Sequence, residues 1–209
     1  MAMRVLIADD HALVRLGIKA LLEAAGFDVV GEAAEGREAL RLVLELQPDV
    51  LLTDVTMPGL NGIDLAAQLR DRGVATRVVV VSMHSDSEHV YRAFAAGAAG
   101  YVIKSSAGEE VVDALDAVAA GRRYLGRGLE EPRSARAAES SPLDSLSSRE
   151  RQVLQMLAEG HAVADIATTL SLSPKTVETY RARMMEKLGI HDFATLVKFA
   201  IQHGVTSLE

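Results

Sequence analysis

The sequence contains no cysteine, which excludes disulfide bonds, thiolate metal sites and cysteine nucleophiles. It also contains no run of the roughly 18 to 20 apolar residues that a membrane-spanning helix needs. The apolar stretch after Arg4 is only about four residues long before Asp9 interrupts it, which is too short for the core of a signal peptide. These absences lead us to expect a cytoplasmic protein with no membrane partner.

Positive charge is also scarce. The 209 residues carry 22 Lys and Arg against 29 Asp and Glu, a formal net charge of −7, which excludes a uniformly basic surface for nucleic acid. The acidity is concentrated in residues 1–122, which hold 11 basic and 18 acidic side chains, whereas residues 147–209 hold 7 of each. A local basic face in the second region remains open.

Hydrophobic periodicity predicts an α/β fold for the first region. Up to about Arg122, short β-branched runs alternate with Ala- and Leu-rich stretches of helical period, which indicates five βα units around a parallel sheet. The predicted strands are Arg4–Ala8, Asp28–Glu32, Val50–Thr53, Arg77–Ser82 and Gly100–Ile103. The predicted helices lie near His11–Ala25, Gly36–Leu46, Asn61–Asp71, Asp86–Ala96 and Gly108–Ala120. We expect a flavodoxin-like doubly wound (βα)5 domain with strand order 2-1-3-4-5.

The remainder of the chain is predicted to be a linker and a smaller all-α domain. Residues 123–142 are rich in Ser, Ala and Arg and contain two prolines, a composition typical of a linker. Residues 143–209 show only helical periodicity. The predicted domains are therefore 1–122 and 143–209, joined by 123–142.

Polar side chains follow four of the predicted strands. Asp9 and Asp10 come after the first strand and Asp54 after the third, and these strands are neighbours, so the carboxylates converge at one edge of the sheet. Such a cluster repels itself unless a hard divalent cation such as Mg²⁺ neutralises it. Ser82 and Lys104 stand at the ends of the fourth and fifth strands. This combination suits phosphoryl transfer, with Asp54 as the nucleophile.

Each of these residues also has a simpler interpretation. Asp10 can cap the following helix, Ser82 can close a turn, and Lys104 can be a solvated charge. A site is favoured because all of them fall at one edge with complementary chemistry. His11 and His84 lie beside this edge but lack the spacing of metal ligands, and both are left outside the predicted site.

Four segments resemble the receiver domain of bacterial two-component response regulators, over residues 1–122. They are Met3–His11 (MRVLIADDH), Asp54–Gly62 (DVTMPGLNG), Val81–His84 (VSMH) and Gly100–Ser105 (GYVIKS). The resemblance implies that Asp54 is the phosphoacceptor, as a 4-aspartylphosphate, and that Lys104 pairs with the phosphoryl group.

The same resemblance implies a metal site and a switch. Asp10 and Asp54 would hold Mg²⁺ (or Mn²⁺) directly, with Asp9 assisting and the main-chain carbonyl of Thr56 completing the protein ligands. Ser82 and Tyr101 would form the switch, in which the hydroxyl moves toward the phosphoryl group and the aromatic ring turns inward.

The all-α region begins with a capping box, Ser147 with Glu150, ahead of an apolar run. A second helix is predicted over about Val163–Leu170 and a third over about Pro174–Leu188, with Ser173 as its cap. The third helix has one apolar face and one polar and basic face, which is typical of a helix-turn-helix whose second member enters the major groove. A plain helical bundle with solvated charges fits this pattern at least as well.

Residues 143–209 are similar to the LuxR-type DNA-binding domain. The similarity lies in Leu146–Leu154 (LSSRERQVL), Leu172–Tyr180 (LSPKTVETY) and Glu186–Gly189 (EKLG). Family members usually have a polar pair before the Ile-Ala that stands here as Ile166-Ala167, whereas this chain has Ala162-Val163-Ala164-Asp165, so one phosphate contact is expected to be missing. The implied DNA-binding residues are Lys175, Thr176, Glu178, Thr179, Arg181, Ala182, Arg183 and Lys187.

Together the two resemblances imply a response regulator of the NarL/FixJ class, which is a phosphorylation-dependent DNA-binding transcription regulator. The implied partners are a sensor histidine kinase, promoter double-stranded DNA and a second copy in a phosphorylated homodimer, with RNA polymerase as a further candidate. The chain is then no enzyme beyond slow self-dephosphorylation.

Two alternatives stay open. An aspartyl-phosphate phosphatase needs a second acid two residues after the nucleophile, where this chain has Thr56. A DNA-binding regulator that acts independently of phosphorylation is disfavoured because the acidic pocket is complete.

Overall fold

The computed structural model describes residues 2–130 and 141–206. The chain divides into two compact units, residues 1–138 and 139–209. Residues 131–140, which are half of the predicted linker 123–142, and residues 207–209 of the predicted DNA-binding domain lie outside the described residues. Within the described ranges, no helix has both the length and the apolar character needed to cross a bilayer.

The first unit contains a six-stranded sheet in the order β2-β1-β3-β4-β5-β6, and every neighbouring pair of strands is parallel. The strands are β1 Arg4–Ala8, β2 Asp28–Ala33, β3 Val50–Asp54, β4 Arg77–Ser82, β5 Gly100–Ile103 and β6 Tyr124–Leu125. The predicted fold class and the order of the first five strands are confirmed.

The edge strand β6 was not predicted. It lies inside the segment expected to be a linker, where the Tyr124 amide donates to Ala99 O and the Gly126 amide donates to Tyr101 O. The Tyr124 hydroxyl also donates to the carboxylate of Glu110 at 3.1 Å. A strand of two residues is too short to produce an alternating pattern, so periodicity could not reveal it.

Helices cover both faces of the sheet, as α1 Ala12–Ala24, α2 Gly36–Leu46, α3 Gly62–Asp71, α4 Ser87–Ala95 and α5 Ala107–Ala119. Because side chains alternate along a strand, Leu6 and Leu51 pack with residues of α2, α3 and α4 on one face. Val5 and Leu52 pack with residues of α1 and α5 on the other. The central strands are therefore mostly apolar on both sides, and the polar side chains of the predicted pocket stand at the strand ends.

The second unit is a helical bundle around one apolar core. A short 3-10 segment, Pro142–Ser145, precedes α6 Ser148–Ala158, α7 Val163–Leu170, α8 Pro174–Leu188 and α9 Phe193–Gln202. The predicted capping box forms, because Ser147 Oγ accepts from the Glu150 amide and the Glu150 carboxylate accepts from the Ser147 amide. Val177 and Met184 point α8 into the core, which leaves its opposite face to solvent.

Candidate functional site: an acidic pocket and a recognition helix

The carboxyl ends of four strands bring the predicted pocket residues to one edge of the sheet. Asp9 follows β1, Asp54 ends β3, Ser82 ends β4, and Lys104 follows β5 at the start of a 3-10 turn. The Lys104 ammonium donates to Asp54 Oδ2 at 2.6 Å and lies 2.9 Å from Asp9 Oδ2. The structure therefore joins side chains that stand up to 95 positions apart in the sequence.

Burial sets the electrostatics of this pocket. The side chains of Asp9, Asp54 and Lys104 are only 2%, 5% and 8% exposed. Burial raises the pKa of Asp54 to about 6, and the opposing charge and hydrogen bond of Lys104 offset only part of that effect. For Lys104 the balance is reversed: burial lowers its pKa, but Asp54 and Asp9 outweigh burial and hold it above the ordinary value. The pocket thus contains an ammonium that stays charged beside a carboxylate whose desolvation is incompletely compensated.

The acidic residues fit a divalent cation. One ligand atom from each of Asp9, Asp10, His11 and Asp54 lies within 4.8 Å of the others. Asp9 Oδ2 faces the Lys104 ammonium at 2.9 Å and has no further partner in the described part of the chain, so it keeps a lone pair for a second positive charge. Carboxylate oxygens are the ligands that Mg²⁺ prefers.

His11 lies closer to the pocket than the sequence suggested. Its amide donates to Asp9 Oδ1 at 2.8 Å, and its Nδ1 lies 2.6 Å from Asp10 Oδ1. The ring itself is 66% exposed. His11 therefore positions the two carboxylates from the rim. These contacts join sequence neighbours, so the adjacency of His11 to Asp9 and Asp10 was the available signal, although it is not the spacing of a metal-ligand motif.

The loop after β3 holds Asp54 from its main chain. The Thr56 amide donates to the Asp54 carboxylate, and the Gly62 amide donates to Val55 O at 2.8 Å. Asn61 caps α3 by accepting from the Asp64 amide. The predicted main-chain ligand, Thr56, is therefore adjacent to the carboxylate it was expected to assist.

The predicted switch residues share one partner, His84. Ser82 and Tyr101 are both fully buried. The His84 amide donates to Ser82 Oγ at 3.0 Å, and the Tyr101 hydroxyl donates to the His84 carbonyl at 2.8 Å. Burial also raises the pKa of Tyr101 to about 12. The aromatic ring is inward in this structure, and the loop after β4 connects it to Ser82.

The second unit presents the predicted DNA-binding residues on α8. Lys175, Glu178, Thr179, Ala182, Arg183 and Lys187 are exposed, and Thr176 and Arg181 are partly exposed. Two hydroxyls on this helix have local partners: Thr179 Oγ1 donates to Lys175 O, and Thr176 Oγ1 lies 2.8 Å from Ser173 Oγ. The guanidinium of Arg181 is 3.6 Å from Glu178. This face is mixed in charge rather than uniformly basic.

Lys187 is tied into the fold. Its ammonium donates to Glu150 Oε2 at 2.7 Å, and the Glu150 side chain is only 4% exposed. Burial disfavours the charged form of Glu150, but hydrogen bonds from Lys187 and Ser147 outweigh burial and hold its pKa below the usual range. Lys187 therefore supports the capping box of α6, a role that the sequence pattern did not indicate.

The first turn of α7 contains Asp165, but the helix has no polar side chain at its N-cap. Ala162 is its N-cap, and no side chain of the described residues caps the helix there. The departure from the LuxR-type pattern noted at Ala162–Asp165 thus leaves the amides at the first turn without a side-chain acceptor.

Comparison with protein families gives two matches, one within each compact unit of the chain. Residues 5–116 match the response regulator receiver domain, and residues 144–200 match the domain of bacterial regulatory proteins of the luxR family. Response regulator GacA of Pseudomonas aeruginosa is 42% identical over 207 residues, which is 97% of each chain. Response regulator UvrY of Escherichia coli is 38% identical over 210 residues, 98% of this chain and 96% of UvrY.

Solved structures are similar to the first unit and to the whole chain. The signal receiver domain of the response regulator NarL from Mycobacterium tuberculosis has 42% identity and a TM-score of 0.57, and the match covers 58% of this chain and 98% of that one. RcsB from Salmonella enterica serovar Typhimurium, bound to a promoter in the presence of the phosphomimetic BeF₃⁻, has 28% identity and a TM-score of 0.65. That match covers 95% of this chain and 98% of RcsB.

Proposed function

Because this chain belongs to the two-component response regulators that join a receiver domain to a LuxR-type DNA-binding domain, we propose that it accepts a phosphoryl group on Asp54 and then binds promoter DNA as a homodimer. We assign residues 1–122 to the receiver, 123–142 to the linker and 143–209 to DNA binding. The observation that carries the proposal is the Lys104 ammonium 2.6 Å from the buried Asp54 carboxylate at the strand ends.

Asp54 is the nucleophile in the proposed transfer. One carboxylate oxygen forms a bond to phosphorus as the bond to the donor breaks. With a phosphohistidine of a sensor histidine kinase, a P–N bond breaks, and the imidazole keeps the electron pair and takes a proton from solvent. With acetyl phosphate, a P–O bond breaks and acetate leaves. Lys104 stabilises the charge on the transferred oxygens, and Ser82 donates to one of them.

Asp10 and Asp54 would hold Mg²⁺ (or Mn²⁺) directly, with Asp9 assisting and the Thr56 carbonyl as a further ligand. When bound, the ion supplies positive charge against the phosphoryl oxygens. Asp9 Oδ2 supports this assignment, because among the described residues it has no partner besides the Lys104 ammonium.

Ser82 and Tyr101 would transmit the effect of Asp54 phosphorylation away from the pocket. Both form hydrogen bonds with the main chain of His84. If the Ser82 hydroxyl turns toward a phosphoryl oxygen, it loses its bond from the His84 amide, and the His84 carbonyl that accepts from Tyr101 can then move. Coupling of about 1 to 3 kcal/mol between sites changes an affinity roughly 5- to 150-fold, which is enough to control occupancy of a promoter.

Residues of α8 would read the DNA. We assign phosphate contacts to Lys175, Arg181, Arg183 and Lys187, and place Glu178, Thr179 and Ala182 nearest the base edges, with Thr176 at the helix start. A structure of RcsB contains two dimers bound to two parallel DNAs, which supports a dimer for this chain as well. Dimers fit inverted half-sites about one helical turn apart.

Sedimentation and fluorescence anisotropy with promoter DNA test the proposed function. In the presence of beryllofluoride and Mg²⁺, which together imitate the acyl phosphate, we expect dimerisation and tighter DNA binding. Beryllofluoride without Mg²⁺ is the control. Equal binding and equal mass under all conditions would contradict phosphorylation control while leaving DNA binding intact.

A pair of α8 variants tests the phosphate assignments. We expect Arg183→Ala to weaken binding to specific and unrelated DNA by about the same factor and to reduce the salt slope by about one unit. Lys187→Ala removes the partner of a nearly buried carboxylate, so it should also lower the free energy of unfolding by about 1 kcal/mol or more. Anisotropy at several salt concentrations and urea unfolding measure both effects. A sequence-selective loss in Arg183→Ala would reassign that residue to base contact.

A further inference from the structure

A second cluster of metal-ligating side chains lies outside the acidic pocket, between the end of β4 and the first turn of α4. His84, Asp86 and His89 each place one ligand atom within 4.8 Å of the others. The two imidazole rings stack with centroids 4.0 Å apart and an interplanar angle of 3°. His89 Nδ1 is 2.8 Å from Asp86 Oδ2 and 2.9 Å from Asp86 Oδ1.

The imidazole of His89 is buried, and one of its two ring nitrogens has no hydrogen-bond partner among the described residues. Its side chain is 5% exposed, and its Nε2 has no hydrogen-bond partner among residues 2–130 and 141–206. Nδ1 carries the proton that it donates to Asp86. If a cation replaces that proton, Nε2 can take up a proton without displacing another contact.

His84 is also suited to bind a metal ion. Burial, and then the neighbouring His89, lowers its pKa below the ordinary value, so the ring is neutral and keeps a lone pair at neutral pH. Asp86 supplies the negative charge, since hydrogen bonds from His89 outweigh partial burial and hold its pKa low. The cluster thus combines two imidazoles with one carboxylate.

We propose that His84, Asp86 and His89 bind a divalent transition-metal ion, with Zn²⁺ as the ion that their donor set favours. Two imidazole nitrogens and one carboxylate oxygen form a borderline set that suits Zn²⁺, with water in the fourth position. Mg²⁺ prefers oxygen ligands, which distinguishes this site from the acidic pocket. On binding, the ion takes the place of the proton between His89 Nδ1 and Asp86.

Binding requires the His84 ring to rotate out of its stack on His89, because the lone pair of a ring nitrogen lies in the ring plane and two parallel rings cannot both direct a lone pair at one ion. Bonds of about 2.0 to 2.1 Å place the ligand atoms of a tetrahedral site roughly 3.4 Å apart, whereas here they lie within 4.8 Å. His84 is on a loop and half-buried, and Asp86 is 53% exposed, so both side chains can rotate.

A bound ion would fix the loop that carries the main-chain partners of Ser82 and Tyr101. We therefore expect the ion to bias the switch toward the inward position of Tyr101. That consequence rests on the proposed function, whereas ion binding itself does not.

Zinc titration of the full chain tests the site. The protein is prepared without a polyhistidine tag and freed of metal by chelation, and Zn²⁺ is titrated by calorimetry in excess Mg²⁺. We expect one Zn²⁺ per chain at this site, and we expect visible absorption from tetrahedral Co²⁺ in its place. His84→Asn should weaken Zn²⁺ binding by more than about tenfold, since loss of even an outer partner of a metal ligand costs that much.

Three further variants make the outcome decisive. His89→Gln should also lose the ion, with circular dichroism to show whether its buried position still folds. His191→Asn, an exposed histidine of the second unit, should bind like the original chain, and so should Asp10→Asn. Zinc affinity unchanged in His84→Asn, or lost only in Asp10→Asn, would overturn the proposal. Beryllofluoride-dependent dimerisation, measured separately without zinc, shows whether the proposed function fails.

Discussion

Asp54→Asn is expected to abolish labelling of the chain by acetyl phosphate and Mg²⁺. The amide retains the size of the carboxylate but cannot attack phosphorus, so the loss should be complete rather than partial. Of the two carboxylates that Lys104 contacts, Asp54 is the nearer, at 2.6 Å against 2.9 Å for Asp9. Radiolabelled phosphate, followed by intact mass at one phosphoryl group per chain, measures the result.

Asp49→Asn is the matched control for this prediction. Asp49 directly precedes β3, whereas Asp54 ends it, so the two carboxylates stand at opposite ends of one strand. Asp49 is exposed, and its Oδ2 accepts from the Arg4 amide at 2.8 Å. Labelling should persist in Asp49→Asn. If label also persists in Asp54→Asn, another residue is the acceptor and the assignment of Asp54 is wrong.

The pocket could be predicted because the carboxyl ends of all strands in a parallel sheet lie at the same edge. Once the strands were placed by their β-branched runs, the residues after β1, β3 and β5 had to meet at one edge. Asp9, Asp54 and Lys104 lie together for this reason. The capping box of α6 was predictable as well, since its two residues are three positions apart and their bonds are local.

Contacts without a local rule escaped sequence reasoning. Lys187 reaches Glu150 across 37 positions, and periodicity says only that Lys187 faces outward. His84 and His89 are five residues apart, and a loop, rather than one helix face, brings their rings into a stack. Such contacts depend on side-chain rotamers and loop paths, which hydrophobic pattern does not encode.

The sequence also does not show which glycines pack closely against other atoms and therefore have no room for a side chain. Gly62 is the first residue of α3, and a Cβ built on it would lie 2.0 Å from the main-chain oxygen of Asp54 and 3.0 Å from Thr53 Oγ1. Gly17 is inside α1, and its Cβ would meet no heavy atom of the described residues within 4 Å. Two identical substitutions should therefore act in opposite directions.

Gly62→Ala is expected to lower the free energy of unfolding by about 3 kcal/mol or more, since the clash is with backbone that cannot turn aside. The same shift would move Asp54 relative to Lys104, so phosphoryl labelling should fall with stability. Gly17→Ala should instead stabilise the chain by about 0.5 to 1 kcal/mol, because alanine loses less entropy in a helix. Urea unfolding followed by circular dichroism measures both variants. Equal midpoints for the two would mean that α3 does not begin against the Asp54 carbonyl, and that the loop holding the acceptor is packed differently.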